Sequence, residues 1–129
     1  MITLVTGGAR SGKSTFAESL YRDMEDVVYI ATSRVWDEEM KERIKLHKES
    51  RPSHWRTYEG NYTLTKALGE ERNYILDCIT LLTSNIMFDV AKDIEYIDFK
   101  LQKEIEDRVW EELHSLIKAI EERKYNLVM

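Results

Sequence analysis

The sequence predicts an α/β fold in which a mostly parallel sheet lies between two layers of helices. Short β-branched runs alternate with segments whose apolar residues recur every three or four positions, which is typical of strands joined by crossover helices. The first of these runs ends in a glycine-rich turn that leads directly into a helical pattern. With 129 residues, 43% of them hydrophobic, and no linker-like or repetitive stretch, residues 1–129 are expected to form a single domain.

The first strand and helix flank a loop with a recognisable pattern. We predict a strand from Ile2 to Thr6 and a helix from Ser14 to Met24, in which Phe16, Leu20 and Met24 recur every fourth residue. The loop between them reads GGARSGKS and fits the phosphate-binding pattern G-x-x-x-x-G-K-[ST]. This context makes the fold that of a P-loop nucleotide-binding domain.

The loop pattern has a chemical reason. Gly7 and Gly12 allow backbone conformations that turn successive N–H groups toward phosphate oxygens, and the helix start adds unpaired donors. Lys13 can reach the β- and γ-phosphates, while the Ser14 hydroxyl can bind Mg²⁺. The alternative interpretation is a glycine-rich turn that binds nothing.

The later elements continue the alternation. We predict a strand from Val27 to Thr32, and a helix capped by Asp37 that runs to about Lys48. The other predicted strands are Trp55 to Tyr58, Tyr74 to Ile79 and Tyr125 to Met129; the other helices are a brief one around residues 64–68, Leu81 to Phe88, and a long amphipathic helix from about Asp93 to Arg123. The apolar stripe of the long helix is more typical of a core face than of an interface.

Composition excludes several classes of protein. Twenty-four acidic and 19 basic side chains give a formal charge of −5, which argues against a general nucleic-acid-binding protein. A single cysteine, Cys78, rules out an internal disulfide and fits a reducing cytoplasm. No apolar run reaches the length of a membrane span, and Met1 leads straight into a strand, so we expect neither a membrane segment nor a signal peptide.

Asp77 is an unusual residue for its position. It lies in the apolar run YILDCI, where an unpaired buried carboxylate would be costly. At the carboxyl end of a parallel strand it would face the phosphate loop and could help to hold Mg²⁺ with Ser14. Alternatively, its side chain turns outward or caps the following helix.

The segment from Arg43 to Glu59 contains a candidate nucleophile. On a helix from Asp37, His47 shares the inward face of Met40 and Ile44. A histidine there is usually a core or rim residue, but Lys48, Arg51 and Arg56 bring positive charge close to it, and arginine suits phosphate recognition. A neutral imidazole can attack a phosphorus centre near neutral pH, with the cations offsetting charge on the leaving group.

Four separated stretches resemble one known family in the same order. They read VTGGARSGKS at 5–14, IATS at 30–33, RIKLHKESRPSHWRTYE at 43–59 and LDCIT at 76–80. Together they are similar to the bifunctional adenosylcobinamide kinase / adenosylcobinamide-phosphate guanylyltransferase of cobalamin biosynthesis, and the resemblance spans essentially the whole chain.

The resemblance implies a transferase that uses ATP and GTP, and the phosphate loop implies Mg²⁺ as its cofactor. Such an enzyme phosphorylates the aminopropanol hydroxyl of adenosylcobinamide, then transfers GMP from GTP to adenosylcobinamide phosphate through a guanylylated histidine. It implies that His47 is this histidine. The phosphate-loop chemistry makes Lys13 the other candidate catalytic residue. The nucleotide contacts that the resemblance implies are Gly7, Gly8, Ala9, Arg10, Ser11, Gly12, Lys13, Ser14, Thr32, Ser33, Arg34, Lys48, Glu49, Ser50, Arg51, Glu59 and Asp77.

The resemblance also implies a homotrimer with active sites near subunit contacts. One departure is that family members continue beyond the strand at Tyr125 into further sheet and helix, so this chain is short at its C-terminal end and its sheet is expected to expose an edge. Two other functions therefore stay open at this point: a P-loop kinase of a small metabolite without a covalent intermediate, and an inactive nucleotide-binding fragment.

Overall fold

A computed structural model describes all 129 residues as a five-stranded sheet with helices on both faces. The strands are β1 (Ile2–Thr3), β2 (Val27–Ala31), β3 (Arg56–Glu59), β4 (Asn73–Asp77) and β5 (Asn126–Val128). The helices are α1 (Lys13–Ser19), α2 (Glu38–Ser50), α3 (Ile79–Val90) and α4 (Phe99–Arg123), with a single 3₁₀ turn at Leu64–Ala67. The strand order is β1-β5-β4-β2-β3. Every pair is parallel, which confirms the predicted fold class.

The strands are buried on both faces because their residues alternate between two apolar layers. Val28 and Ile30 of β2 pack with α3, α4 and the 3₁₀ turn, whereas Val27 and Tyr29 pack with Ala17 of α1 and with Trp55. A strand covered on both sides needs apolar residues at every position, which explains the continuous runs in the sequence. No helix combines the length and the low charge that a membrane-spanning segment needs.

The long helix is shorter than its apolar spacing predicts. It begins at Phe99, capped by Asp98, whose side chain accepts a hydrogen bond from the Leu101 N–H at 2.8 Å. Asp93, the predicted start, has a positive φ of 63°, which a continuing right-handed helix cannot contain. Ile94 and Ile97 fit the spacing but lie before the helix and are exposed.

The first helix is also shorter than predicted. It ends at Ser19 rather than Met24, and the predicted stripe of Phe16, Leu20 and Met24 is exposed. The face toward the sheet is formed instead by Ala17 and Tyr21. The fourfold spacing therefore predicts the helix but not the side that it buries. The sheet-edge strand β1 is also shorter than predicted, although the Val5 N–H extends its pairing with β5 to the Met129 carbonyl at 2.7 Å.

Candidate functional site

The carboxyl ends of three neighbouring strands place polar groups in one row. Ala31 of β2 pairs with Glu59 of β3 on one side and with Asp77 of β4 on the other. Thr32, directly after β2, fixes this row, because its N–H donates to the Asp77 carbonyl at 3.1 Å and its hydroxyl accepts from the Cys78 N–H at 2.9 Å. Glu59 and Asp77 therefore lie at the edge where parallel sheets bind ligands.

A cavity of about 340 Å³ opens above this row. Among the predicted site residues, it is lined by Ser14, Ser33, His47, Arg51, Glu59 and Asp77. Its other walls include residues that the sequence analysis did not assign to the site, notably Tyr29, Val35, Arg43 and Leu81. The structure thus brings the end of the phosphate loop, the candidate histidine and the strand carboxylates together in a space of the size that small ligands occupy.

Asp77 faces the phosphate loop. Its Oδ2 accepts a hydrogen bond from the Ser14 hydroxyl at 3.0 Å and another from the Tyr29 hydroxyl. The alternative role in capping the next helix is filled by Cys78, whose Sγ lies 3.5 Å from the Leu81 N–H. Ser14 and Asp77 therefore offer two hard oxygen donors side by side. This set suits Mg²⁺, which takes few protein ligands and completes its shell with phosphates and water.

The phosphate loop has the backbone that its pattern predicts. Gly12 caps α1 with a φ of 87°, in the left-handed region that favours glycine, and a Cβ on Gly7 would lie 2.7 Å from the Ser11 hydroxyl. Lys13 starts the helix, and its Nζ donates to the Gly8 carbonyl at 2.6 Å. Four loop residues, Gly7, Ser11, Gly12 and Lys13, line a separate cleft with Leu4 and Phe16. Ser14 is the only loop residue that lines the main cavity.

His47 lies in the last turn of α2 and reaches the cavity together with Met40 and Ile44, which confirms the predicted shared face. Asp37 caps this helix as predicted, accepting from the Met40 N–H at 2.7 Å. Lys48, Glu49 and Ser50 are exposed and do not line the cavity.

Two other predicted contacts have partners within the protein. Arg34 does not line the cavity and forms a bidentate ion pair with Asp89, in which both N···O distances are 2.8 Å. With Tyr62, it lowers the pKa of Asp89 to about 2. Arg56 binds Glu71 at 2.6 Å, so it is not one of the cations that face His47. Arg43, which was not singled out as a site cation, lines the cavity in its place.

A third carboxylate, Glu18, does not line the cavity but interacts electrostatically with His47, Arg51 and Asp77. Glu18 is 8% exposed, and its Oε1 has no hydrogen-bond partner. Burial raises the pKa of Glu18, while the positive charges of His47 and Arg51 oppose that shift. The sequence offers one clue to this position: Glu18 follows Ser14 by four residues, which puts both on one face of α1.

The chain is similar in sequence to a family of known proteins. Residues 3–129 match the family described as "Cobinamide kinase / cobinamide phosphate guanyltransferase". The chain is 42% identical over 123 residues to the bifunctional adenosylcobalamin biosynthesis protein CobU of Escherichia coli (strain K12), covering 92% of this chain and 67% of that protein. It is also 42% identical over 116 residues to CobU of Salmonella typhimurium, covering 84% of this chain and 64% of that relative.

A third relative is the bifunctional adenosylcobalamin biosynthesis protein CobP of Pseudomonas aeruginosa. The two chains are 44% identical over 92 residues, which cover 67% of this chain and 53% of CobP. The chain thus spans about half to two thirds of the length of these curated relatives. Because the family match extends over nearly the whole sequence, the chain belongs to the cobinamide kinase / cobinamide phosphate guanyltransferase family.

Proposed function

We propose that this chain is an adenosylcobinamide kinase and adenosylcobinamide-phosphate guanylyltransferase of cobalamin biosynthesis. The observation that carries the proposal is that His47, Ser14 and Asp77 line the same cavity. A phosphate loop alone is compatible with many different kinases and does not distinguish among them. A histidine opposite its Ser/Asp pair, flanked by Arg43 and Arg51, supports a covalent nucleotidyl transfer as well.

In the first reaction, the aminopropanol hydroxyl of adenosylcobinamide attacks the γ-phosphorus of a nucleoside triphosphate. The nucleoside diphosphate leaves, and the hydroxyl loses its proton to solvent or to a carboxylate of the site. Lys13 exchanges its bond to the Gly8 carbonyl for a phosphate oxygen, which neutralises charge on the transferred group. When bound by Ser14 and Asp77, Mg²⁺ supplies further charge neutralisation and orients the phosphates.

In the second reaction, a ring nitrogen of His47 attacks the α-phosphorus of GTP. The bond from that phosphorus to the bridging oxygen breaks, and pyrophosphate leaves. A phosphate oxygen of adenosylcobinamide phosphate then attacks the same phosphorus, the phosphorus–nitrogen bond breaks, and adenosylcobinamide-GDP forms. Arg43 and Arg51 face this position and would stabilise the charge of the leaving pyrophosphate.

We extend the proposal to the setting of the enzyme. Following the family resemblance, we propose a cytoplasmic homotrimer that binds ATP or GTP with Mg²⁺ and does not bind nucleic acid. The unpaired Cys78 fits a reducing compartment. The net charge of −5 disfavours a nucleic-acid partner.

The test separates the two reactions by following both products from adenosylcobinamide and GTP by chromatography. We expect Lys13→Ala to lose phosphorylation by at least about 10²-fold. We expect His47→Ala to accumulate adenosylcobinamide phosphate without forming adenosylcobinamide-GDP. His54→Ala is the matched control, because His54 contacts the Met24 carbonyl at 3.2 Å and does not line the cavity. Formation of adenosylcobinamide-GDP by His47→Ala would contradict the covalent route.

A further inference from the structure

Tyr29 contacts both Asp77, the partner of the phosphate loop, and Arg51, at the end of the helix that carries His47. It lies in the middle of β2, is 3% exposed and packs in the apolar layer beneath α1. Its hydroxyl donates to Asp77 Oδ2, the oxygen that also accepts from Ser14. On its ring face lies the Arg51 guanidinium, with the central carbon 3.7 Å from the ring centroid. One side chain therefore contacts both the phosphate-loop partner and the helix of His47.

The contact with Arg51 is important because α2 has little else to hold it. No side chain of α2 is buried, and its side-chain hydrogen bonds and ion pair stay within the helix and its cap. Arg51 follows His47 by four residues, one helical turn, and is the C-cap of α2. The stacked pair thus fixes the end of the helix on which His47 lies.

The contact with Asp77 has a separate consequence. A carboxylate that could turn freely about its side-chain bonds would hold a cation poorly, and a hydroxyl donor fixes its orientation. The Tyr29 hydroxyl donates to Asp77 Oδ2 and so holds this carboxylate beside the Ser14 hydroxyl, which donates to the same oxygen.

We propose that Tyr29 is a positioning residue that aligns the two chemistries of the proposed function. Its hydroxyl orients Asp77 toward the phosphates. Its ring holds Arg51 and, through it, the last turn of α2, so that His47 faces the same nucleotide. The inference rests on the proposed function, but the Arg51 contact can be tested in the nucleotide-free protein.

Two substitutions separate the two contacts. Tyr29→Phe keeps the ring under Arg51 and removes the hydroxyl, whereas Tyr29→Leu removes both. At saturating GTP and Mg²⁺ we expect Tyr29→Leu to guanylylate His47 about 3- to 30-fold more slowly than Tyr29→Phe, the range of one cation–π contact. We expect Tyr29→Phe to need about tenfold more Mg²⁺ than the unmodified protein for half-maximal labelling, because a hydrogen bond to a charged group is lost.

Hydrogen exchange distinguishes positioning from general destabilisation. In the nucleotide-free protein, Tyr29→Leu should lose amide protection in the last turn of α2, and Tyr29→Phe should retain it. A purely structural role would lower protection across β2 and β4 in both variants. Arg51→Lys keeps the charge but removes the planar guanidinium from the Tyr29 ring. Adding it to Tyr29→Leu should therefore cause little further loss of amide protection in the last turn of α2.

The outcomes distinguish the two proposals. If His47 is labelled equally fast in Tyr29→Leu and Tyr29→Phe, and the amides of α2 are equally protected in both, the inference is wrong even if the proposed function is correct. If the unmodified protein is never labelled by GTP, the proposed function fails, and α2 protection alone decides whether Tyr29 holds the helix.

Discussion

At the residue scale, burial of the Glu18 carboxylate is expected to make stability depend on pH. This carboxylate is nearly buried, one oxygen lacks a partner, and burial raises its pKa above the ordinary value. In the folded protein the group therefore binds a proton more tightly than in the unfolded chain. Its contribution to stability is fully present below the unfolded pKa and is lost as the pH rises through the folded pKa.

The pH dependence of a Glu18→Gln variant follows from this sign. The variant keeps the shape of the side chain but cannot ionise. Its free energy of unfolding, minus that of the unmodified protein, should therefore increase from pH 4 to pH 7. Urea denaturation at the two pH values measures the change. Glu121→Gln, at an exposed position of α4, is the control and should show a smaller pH-dependent difference. An unchanged difference for Glu18→Gln would show that its carboxylate is not strained by burial.

Some site residues are predictable from the sequence and others are not. Gly7, Gly12 and Ser14 follow from a fixed spacing, and His47 follows from the helical face it shares with Ile44. The assembly of Tyr29 with Arg51 depends on how α2 lies across the sheet. That placement is a tertiary contact between residues 22 positions apart, and no local pattern encodes it.

At the scale of elements, α2 and α4 are each capped by an aspartate but differ in how much they contribute to the core. Asp37 caps α2 and Asp98 caps α4, each accepting from the N–H three residues later. Helix α4 buries Ile105, Leu116 and Ile120, whereas α2 buries nothing. Global stability therefore depends on α4, while α2 serves the cavity.

This contrast predicts that the same Asp→Ala substitution at the two caps changes the global free energy of unfolding by different amounts. Asp98→Ala should lower the global free energy of unfolding by about 1 kcal/mol. Asp37→Ala should leave it nearly unchanged, because α2 can fray without exposing core, but should lower amide protection at the start of α2. Urea denaturation and hydrogen exchange measure the two effects. Equal losses of global stability would mean that α2 is part of the cooperative core.

Element boundaries are the part of the fold that the sequence predicts least well. Asp93 and Asp98 are both plausible caps for one continuous apolar spacing, and the positive φ of Asp93 decides between them. The predicted stripe of α1 fails for a related reason. Ala17, a small residue that fits closely against the sheet, is inward, and the large Phe16 is outward.

At the scale of the whole molecule, the β1 edge of the sheet has exposed apolar side chains beside it. The edge strand β1 pairs only with β5, and Leu4 and Phe16 next to it are 60% and 55% exposed. Unpaired backbone groups beside apolar side chains favour association with another chain.

We therefore expect concentration-dependent self-association that light scattering detects. Leu4→Glu should weaken it by placing a charge beside the β1 edge. Leu46→Glu is the matched control, because Leu46 is 63% exposed on α2, away from β1. A strictly monomeric protein at all concentrations, or equal effects of both substitutions, would show that this edge does not associate.

The measurement that tests the central claim most directly is the location of a covalent GMP group. The protein is incubated with Mg²⁺ and GTP labelled at the α-phosphate, denatured at alkaline pH and digested, and the labelled peptide is identified by mass spectrometry. We expect an acid-labile label on His47, absent from His47→Ala and retained in His54→Ala. A label on another residue, or none in protein that binds GTP, would contradict the assignment of His47 as the nucleophile.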